Sequence, residues 1–252
     1  MPRSNIRIHF FMAYDPSIPI YGYIYSLKAN LFAYILIVTY KLKIMKSILA
    51  FLFLLQTTLL IAQEGYRPGL LFREDWKETP AEIPLSQSHV SNPDLLVQLY
   101  GAGRDSLKKS NHEKPVDDPF YVWSGLCRGN WLVSLKHRQY NADLTGFSKI
   151  IWRSKQAGIR HLRIALKLAN GTWLVSDLSD GPTKDWRTTE FNIQDISWHR
   201  LDIDLVTEMG PVANPDLSNV AEIGFTDLMP GGRSASCSRL DWIEVHAKPV
   251  KR

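Results

Sequence analysis

The stretch His161-Leu-Arg-Ile-Ala-Leu-Lys-Leu168, then Ala169-Asn-Gly171, then Thr172-Trp-Leu-Val-Ser176, decides the fold class. Leu162, Ile164, Leu166 and Leu168 fall on one side of an extended chain, and His161, Arg163, Ala165 and Lys167 on the other. Successive strand residues point to opposite faces, so a period of two marks a half-buried β-strand. Asn170-Gly171 between two such runs is a strong hairpin signal, because both residues tolerate positive φ in a tight turn.

The same pattern spreads outward from this hairpin. Asn130–Lys136 places Trp131, Val133 and Leu135 on one face and Leu132 on the other, and Lys149–Ser154 is β-branched and aromatic. Further strands are expected at Leu70–Trp76, Leu95–Tyr100, Tyr121–Ser124, Glu190–Ile193, Trp198–Ile203, Glu222–Thr226 and Arg239–His246. Prolines 68, 80, 84, 93, 115 and 119 disfavour long helices in Gln63–Pro119, and the charged Arg104–Asp118 reads as a solvated excursion. About ten short strands with turn signals between them predict an all-β chain, an antiparallel β-sandwich or barrel. Trp152, Leu162, Ile164, Leu166 and Ile223 are the expected core. The echo Trp-Leu-Val-Ser at 131–134 and 173–176 reads as two similar strands under similar packing, too short to be a repeat.

The N-terminus has another character. Met45-Lys46-Ser47, the apolar run 48–55 and the small residue Ala62 read as a signal peptide over 45–62, with a retained anchor as the competing reading. Residues 1–44, nearly free of acids, are expected to be translated upstream sequence, which leaves 63–252 as one sandwich domain. Residues 1–63 hold six of the 30 basic and one of the 25 acidic residues, so the remainder carries 24 of each. A formally neutral mature part argues against a broad nucleic-acid-binding face. No stable membrane span is expected once the leader is cut. Cys127 and Cys237 allow one disulfide in an oxidising compartment, or equally two buried thiols.

From Asn141 to Pro249 the order of segments is familiar: Ala-Asp-Leu-Thr-Gly-Phe-Ser-Lys-Ile at 142–150, Trp-Arg-Ser at 152–154, Thr-Thr-Glu-Phe at 188–191, the Trp198–Ile203 step, 215–225, and Arg-Leu-Asp-Trp-Ile-Glu-Val at 239–245. It resembles the galactose-binding-like jelly rolls, among them many carbohydrate-binding modules and the complex I intermediate-associated type of domain. The resemblance implies a sandwich fold and a glycan ligand; it carries no catalytic signature.

All eight tryptophans lie after residue 63. Flat indole faces suit the C–H faces of sugars, and they equally suit a small core. Five are assigned to the core, and Trp123, Trp173 and Trp186 are the expected exposed platforms. Asp227, Arg233 and Arg239, in or beside the Gly231-Gly232 loop, are candidate ligand-binding groups, as are Arg153 and Arg163 in the cluster Arg153, Arg160, His161, Arg163. His112 and Tyr121 are the candidate base and acid of a glycan-cleaving enzyme. Glu74/Asp75, Asp177/Asp180 and Asp202/Asp204 are the local carboxylate pairs, and Asp117-Asp118 or Asp177/Asp180 are places for a structural calcium; no other cofactor or metal is expected. The leading expectation is an exported, tryptophan-rich carbohydrate-binding protein. A polysaccharide lyase or glycoside hydrolase on the same scaffold, and a structural domain of the cell envelope, are the alternatives.

Overall fold

The computed structural model describes residues 20–61, 67–112, 120–230 and 235–252. The chain forms two compact units, Met1–Glu64 and Gly65–Arg252. In the first, one helix, α1 (Ile20–Ile61), passes through Met45 without a break. The expected signal peptide lies in this helix up to residue 61; the cut at Ala62, and residues 1–19 of the expected upstream extension, fall outside the described residues. Among the described residues, no helix is long and apolar enough to cross a membrane.

The second unit is built of strands. In chain order they are β1 (Leu70–Glu74), β2 (Leu95–Tyr100), β3 (Lys108–Ser110), β4 (Tyr121–Trp123), β5 (Leu132–His137), β6 (Tyr140–Asp143), β7 (Lys149–Ser154) and β8 (Leu162–Leu168). Then follow β9 (Trp173–Asp180), β10 (Arg187–Asn192), β11 (Trp198–Asp202), β12 (Thr207–Val212), β13 (Val220–Thr226), β14 (Arg239–His246) and β15 (Lys248–Lys251). They pair antiparallel in two sheets. The smaller runs β10-β7-β14-β4-β3, with β1 also on β14; the larger runs β12-β11-β9-β8-β13-β5-β2, with β6 and β15 added at β13.

Alternation explains how the sheets meet. Leu162, Ile164 and Leu166 of β8, Val133 and Leu135 of β5, and Ile223 and Phe225 of β13 pack with Trp152 and Ile150 of β7 and Ile243 and Val245 of β14. The five expected core residues are all 2% exposed or less. The hairpin at Ala169-Asn170-Gly171 forms as expected, but only Gly171 takes positive φ (+88°). Leu168 N–H donates to Thr172 O at 2.8 Å across a three-residue loop. A three-residue loop needs the left-handed conformation only at its last residue.

Arg104–Asp118 is not a solvated excursion as far as it is described. Leu107 and Lys109 are fully buried, and β3 pairs with β4. The Lys109 ammonium lies 4.5 Å over the Phe120 ring and donates to Thr79 O, and burial pushes its pKa down. The Trp-Leu-Val-Ser echo also fails as a packing echo. Trp131 and Val133 face the inter-sheet core, whereas Trp173 and Val175 face the opposite side of the larger sheet.

Glycine at 224 is a packing requirement. A Cβ there would lie 2.0 Å from Val133 O and 2.7 Å from Ser134 Cα on the neighbouring β5. Gly224→Ala is therefore expected to destabilise the sandwich by ~1–3 kcal/mol, the usual cost of forcing backbone apart in a packed layer. A urea midpoint equal to that of the parent protein would refute this.

Candidate ligand-binding groove on the outer face of the larger sheet

Residues of the larger sheet that point away from the core make a second surface. Arg163, Ala165 and Lys167 of β8 alternate with its core leucines; Trp173 and Val175 of β9, Leu132 and Ser134 of β5 and Glu222 of β13 do the same. At its centre Leu132, Ala165, Trp173, Val175, Leu201 and Val206 form a small apolar cluster, with Tyr100, Ile203 and Leu228 packed against it.

On one side of that cluster lies a cavity of about 390 Å³. Its polar lining is His161, Arg163, Asp177, Ser179, His199 and Glu208, and the Asp227-Leu228-Met229 turn supplies the remainder. The polar groups are held in place. Arg163 Nη1 lies 2.5 Å from Glu208 Oε2, its Nε donates to Ser176 O, and His199 Nδ1 meets the other Glu208 oxygen. The Arg163 guanidinium, with help from His199, keeps the Glu208 carboxyl below its ordinary range. Asp177 Oδ1 accepts from the backbone N–H of Leu178 (2.8 Å) and Ser197 (2.9 Å). Asp177 Oδ2 takes no hydrogen bond among the described residues. His161 Nδ1 sits 3.3 Å from Ser179 Oγ.

Asp227 anchors the turn from below. It is 2% exposed and receives Ser238 Oγ (3.0 Å), Arg160 Nη1 (3.3 Å) and Met229 N–H (3.1 Å). Burial pushes its carboxyl pKa up, against the opposing pull of Arg160. Asp227 is thus a buried post that fixes Leu228 and Met229 as the apolar part of the lining.

Beyond the apolar cluster, Glu222 gathers a second polar set. Its Oε2 accepts from Ser134 Oγ at 2.6 Å and Tyr100 Oη at 3.0 Å, and Oε1 from Lys167 Nζ at 3.0 Å. Tyr100 meets Trp173 edge-on, ring centroids 5.0 Å apart, and Lys167 Nζ lies 5.5 Å from the Trp173 ring. A cavity of about 330 Å³ opens here, lined by Tyr100, Gly101, Ala102, Arg104, Asp105, Ile203 and Asp204.

The residues nominated from sequence divide between the two outer faces. Arg163 and Asp227 line the larger cavity, with His161 of the same nominated cluster. Arg160 instead is buried against Asp227. Trp173 is 5% exposed and is no platform; Trp242, not nominated, takes its place as the third half-buried indole beside Trp123 and Trp186. A bulge in β14 between Leu240 and Trp242 turns the Trp242 ring outward, where Arg73 lies 4.3 Å over it.

The smaller sheet carries the other nominees. His112 Nε2 contacts Tyr121 Oη, Tyr121 meets Trp186 edge-on at 5.3 Å, and Arg153 lies 5.5 Å over Trp186 while pairing with Asp241 at 2.9 Å. Arg239 is paired in register with Trp123. Arg233, and Asp117-Asp118 of the expected calcium site, lie outside the described residues.

The carboxylate pairs do not survive as pairs. Glu74 is fully buried and accepts from the N–H groups of Trp76, Ser91 and Asn92, while Asp75 pairs with Arg73. Asp202 caps the turn at Asp204 and Leu205. Asp180 is buried and its oxygens are taken by Trp152, Ser154 and Arg187. Among the described residues no cluster of three or more His, Cys, Asp or Glu could hold a metal. Cys127 and Cys237 are buried free thiols, with burial pushing Cys127 up to about 12; the disulfide alternative is not realised here.

Asp241 carries a pH signature. Burial raises its carboxyl from 3.8 to about 6, against the opposing pull of Arg153. The folded state therefore binds this proton more tightly than the unfolded chain. Its contribution to stability is full below pH 4 and is lost as pH rises to about 6, by at most ~3 kcal/mol at ~1.4 kcal/mol per tenfold change. Urea midpoints measured between pH 4 and 7 should fall less steeply for Asp241→Asn; an unchanged slope would contradict this.

No protein-family model matches the sequence, and no curated protein resembles it. In structure the chain is similar to a family 11 carbohydrate-binding module of a Clostridium thermocellum cellulosomal cellulase, at 16% identity over 73% of this chain and 97% of that one, TM-score 0.38. It is similar to an exo-β-agarase at 11% identity over 73% of this chain and 25% of that one, TM-score 0.36. The Emp47p carbohydrate recognition domain matches at 10% identity over 69% of this chain and 97% of that one, TM-score 0.33. All three TM-scores fall below 0.5, and the two-sheet architecture stands on the strand pairing itself.

Proposed function

We propose that this is an exported carbohydrate-binding protein that holds an oligosaccharide in the cavity beside Arg163. The observation that carries this reading is the lining: fixed, planar hydrogen-bonding side chains next to the apolar Leu228 and Met229. Sugars need that combination, hydroxyls held at set angles and a C–H face laid on an apolar surface. Arg163 pairs with Glu208 and Asp227 with Arg160, which leaves Asp177, an acceptor for hydroxyls, without an ion pair among the described residues. The positive start and apolar run at 45–55 support export. Titration of the full-length protein against a panel of neutral oligosaccharides is expected to show saturable binding to at least one. Absence of binding across neutral and acidic panels would overturn the reading.

A second reading, a glycan-cleaving enzyme on the opposite face, is favoured by one observation, the contact between His112 and Tyr121. Against it, Tyr121 is 2% exposed. Release of unsaturated ends from a polysaccharide panel, abolished by Tyr121→Phe, would establish the enzyme.

A further inference from the structure

The β11–β12 hairpin does more than supply Glu208. β11 pairs with β9 only from Trp198 to Arg200, and β12 shows a register shift opposite His199–Leu201. Beyond that point the chain leaves the sheet edge. Its tip reaches residues at the far edge: Asn130 Nδ2, just before β5, donates to Val206 O at 2.9 Å, and a Cβ at Gly101, just after β2, would meet Val206 Cγ2 at 2.7 Å. In the sheet order, β9, β8 and β13 lie between these points. The tip therefore crosses the outer face from one side to the other, over Ala165, Trp173 and Val175.

Val206 is the fastening. It is fully buried with φ +50°, a left-handed conformation that a β-branched side chain avoids unless its surroundings impose it. Its neighbour Leu205 is 65% exposed. Glu208, tied to Arg163 and His199, secures the base of the same hairpin. The hairpin lines both cavities, with His199 and Glu208 at that of about 390 Å³ and Ile203 and Asp204 at that of about 330 Å³.

We propose that this hairpin is a fixed strap that makes the groove a receptor for the end of a short oligosaccharide and closes it to an internal stretch of polysaccharide. The proposal rests on the carbohydrate reading above. A chain laid along the outer face would have to pass through the strap. What remains open beside Arg163 is a cavity at the small end of the range for ligand sites. The two cavities are separate subsites, and Val206 and Asn130 set the limit on chain length.

The test is calorimetric titration of the full-length protein with neutral oligosaccharides of two to six units and with the parent polysaccharides. With the strap in place, affinity is expected to change less than about threefold from the shortest ligand bound to the longest, and polysaccharide to bind in proportion to its chain ends. Asn130→Ala combined with Val206→Gly is expected to raise affinity for six-unit ligands about tenfold or more. Asn130→Ala alone, which leaves the buried Val206 side chain in place, serves if the double variant does not fold and is expected to move the same way. Parent-protein affinity that climbs about tenfold with length, or strap variants with no gain for long ligands, would overturn the strap while leaving the carbohydrate reading intact. No binding of any probe would remove both.

Discussion

Asp180→Ala is expected to cost the sandwich ~3–5 kcal/mol, the usual range for breaking a buried, hydrogen-bonded ion pair by removing one partner. Asp180 ends β9 in the larger sheet, and its partners belong to the smaller one. Oδ2 accepts from Trp152 Nε1 at 3.0 Å and Ser154 Oγ at 2.5 Å on β7, and Oδ1 meets Arg187 on β10. Trp152 and Ser154 are 1% exposed or less, so alanine would leave two buried donors without an acceptor. Each such orphan costs ~1–3 kcal/mol. Arg187 is half exposed and can turn to solvent, which is why the Trp152 and Ser154 bonds dominate the expected loss. The thermal midpoint should fall by ~6–20 °C, given the ~2–4 °C per kcal/mol typical of a domain this size. Asp180→Asn keeps one acceptor oxygen, which can serve Trp152 and Ser154 while the amide NH2 faces Arg187, and should lose less. An alanine variant within ~1 kcal/mol of the parent would show that the two sheets are not joined through this carboxylate.

The second large effect is expected at Arg163. It lines the cavity of about 390 Å³ and ties two neighbouring strands there, bonded to Ser176 O on β9 and Glu208 on β12. Arg163→Ala should weaken oligosaccharide binding about 100-fold or more, the loss typical of a central, desolvated arginine. Two effects combine: a donor fork disappears, and Glu208 keeps only His199 to position it. Arg163→Lys retains the charge but not the planar fork, and should recover only part of the affinity. Trp242→Ala, on the opposite sheet, should leave binding unchanged. If Arg163→Ala binds as the parent does while Trp242→Ala does not, the ligand lies on the smaller sheet and the groove assignment is wrong.

Period-two patterning carried most of the fold. β7 and β14 have the bounds read from their β-branched and aromatic runs, and β8 and β5 turn the expected residues inward. Four strands carry no such mark: β3, β6, β12 and β15. β12, Thr207–Val212, is an exposed edge strand holding Gly210 and Pro211, so neither alternation nor propensity marks it. β3 is hidden in the charged segment 104–118 because Lys109 is buried, where a lysine seldom sits.

The site was legible only in fragments. Arg163 and His161 stand out as polar residues alternating with core leucines, and a reader of β8 can find them. Glu208 and His199 carry no such mark, since they become partners only when the β11–β12 hairpin folds back over the sheet. Alternation states that Trp173 leaves the core side of β9, but not that a loop thirty residues later returns to cover it.

What the amino-acid order determined alone is therefore eleven of the fifteen strands described and the face taken by residues in the alternating ones, because these follow from local period and turn chemistry. Which outward residues meet, which indoles remain open and where a ligand fits were decided by tertiary structure. Those outcomes depend on strand order, on the bulge in β14 and on a hairpin that crosses β9, β8 and β13, and these are contacts between residues far apart in the chain, on which no local pattern bears.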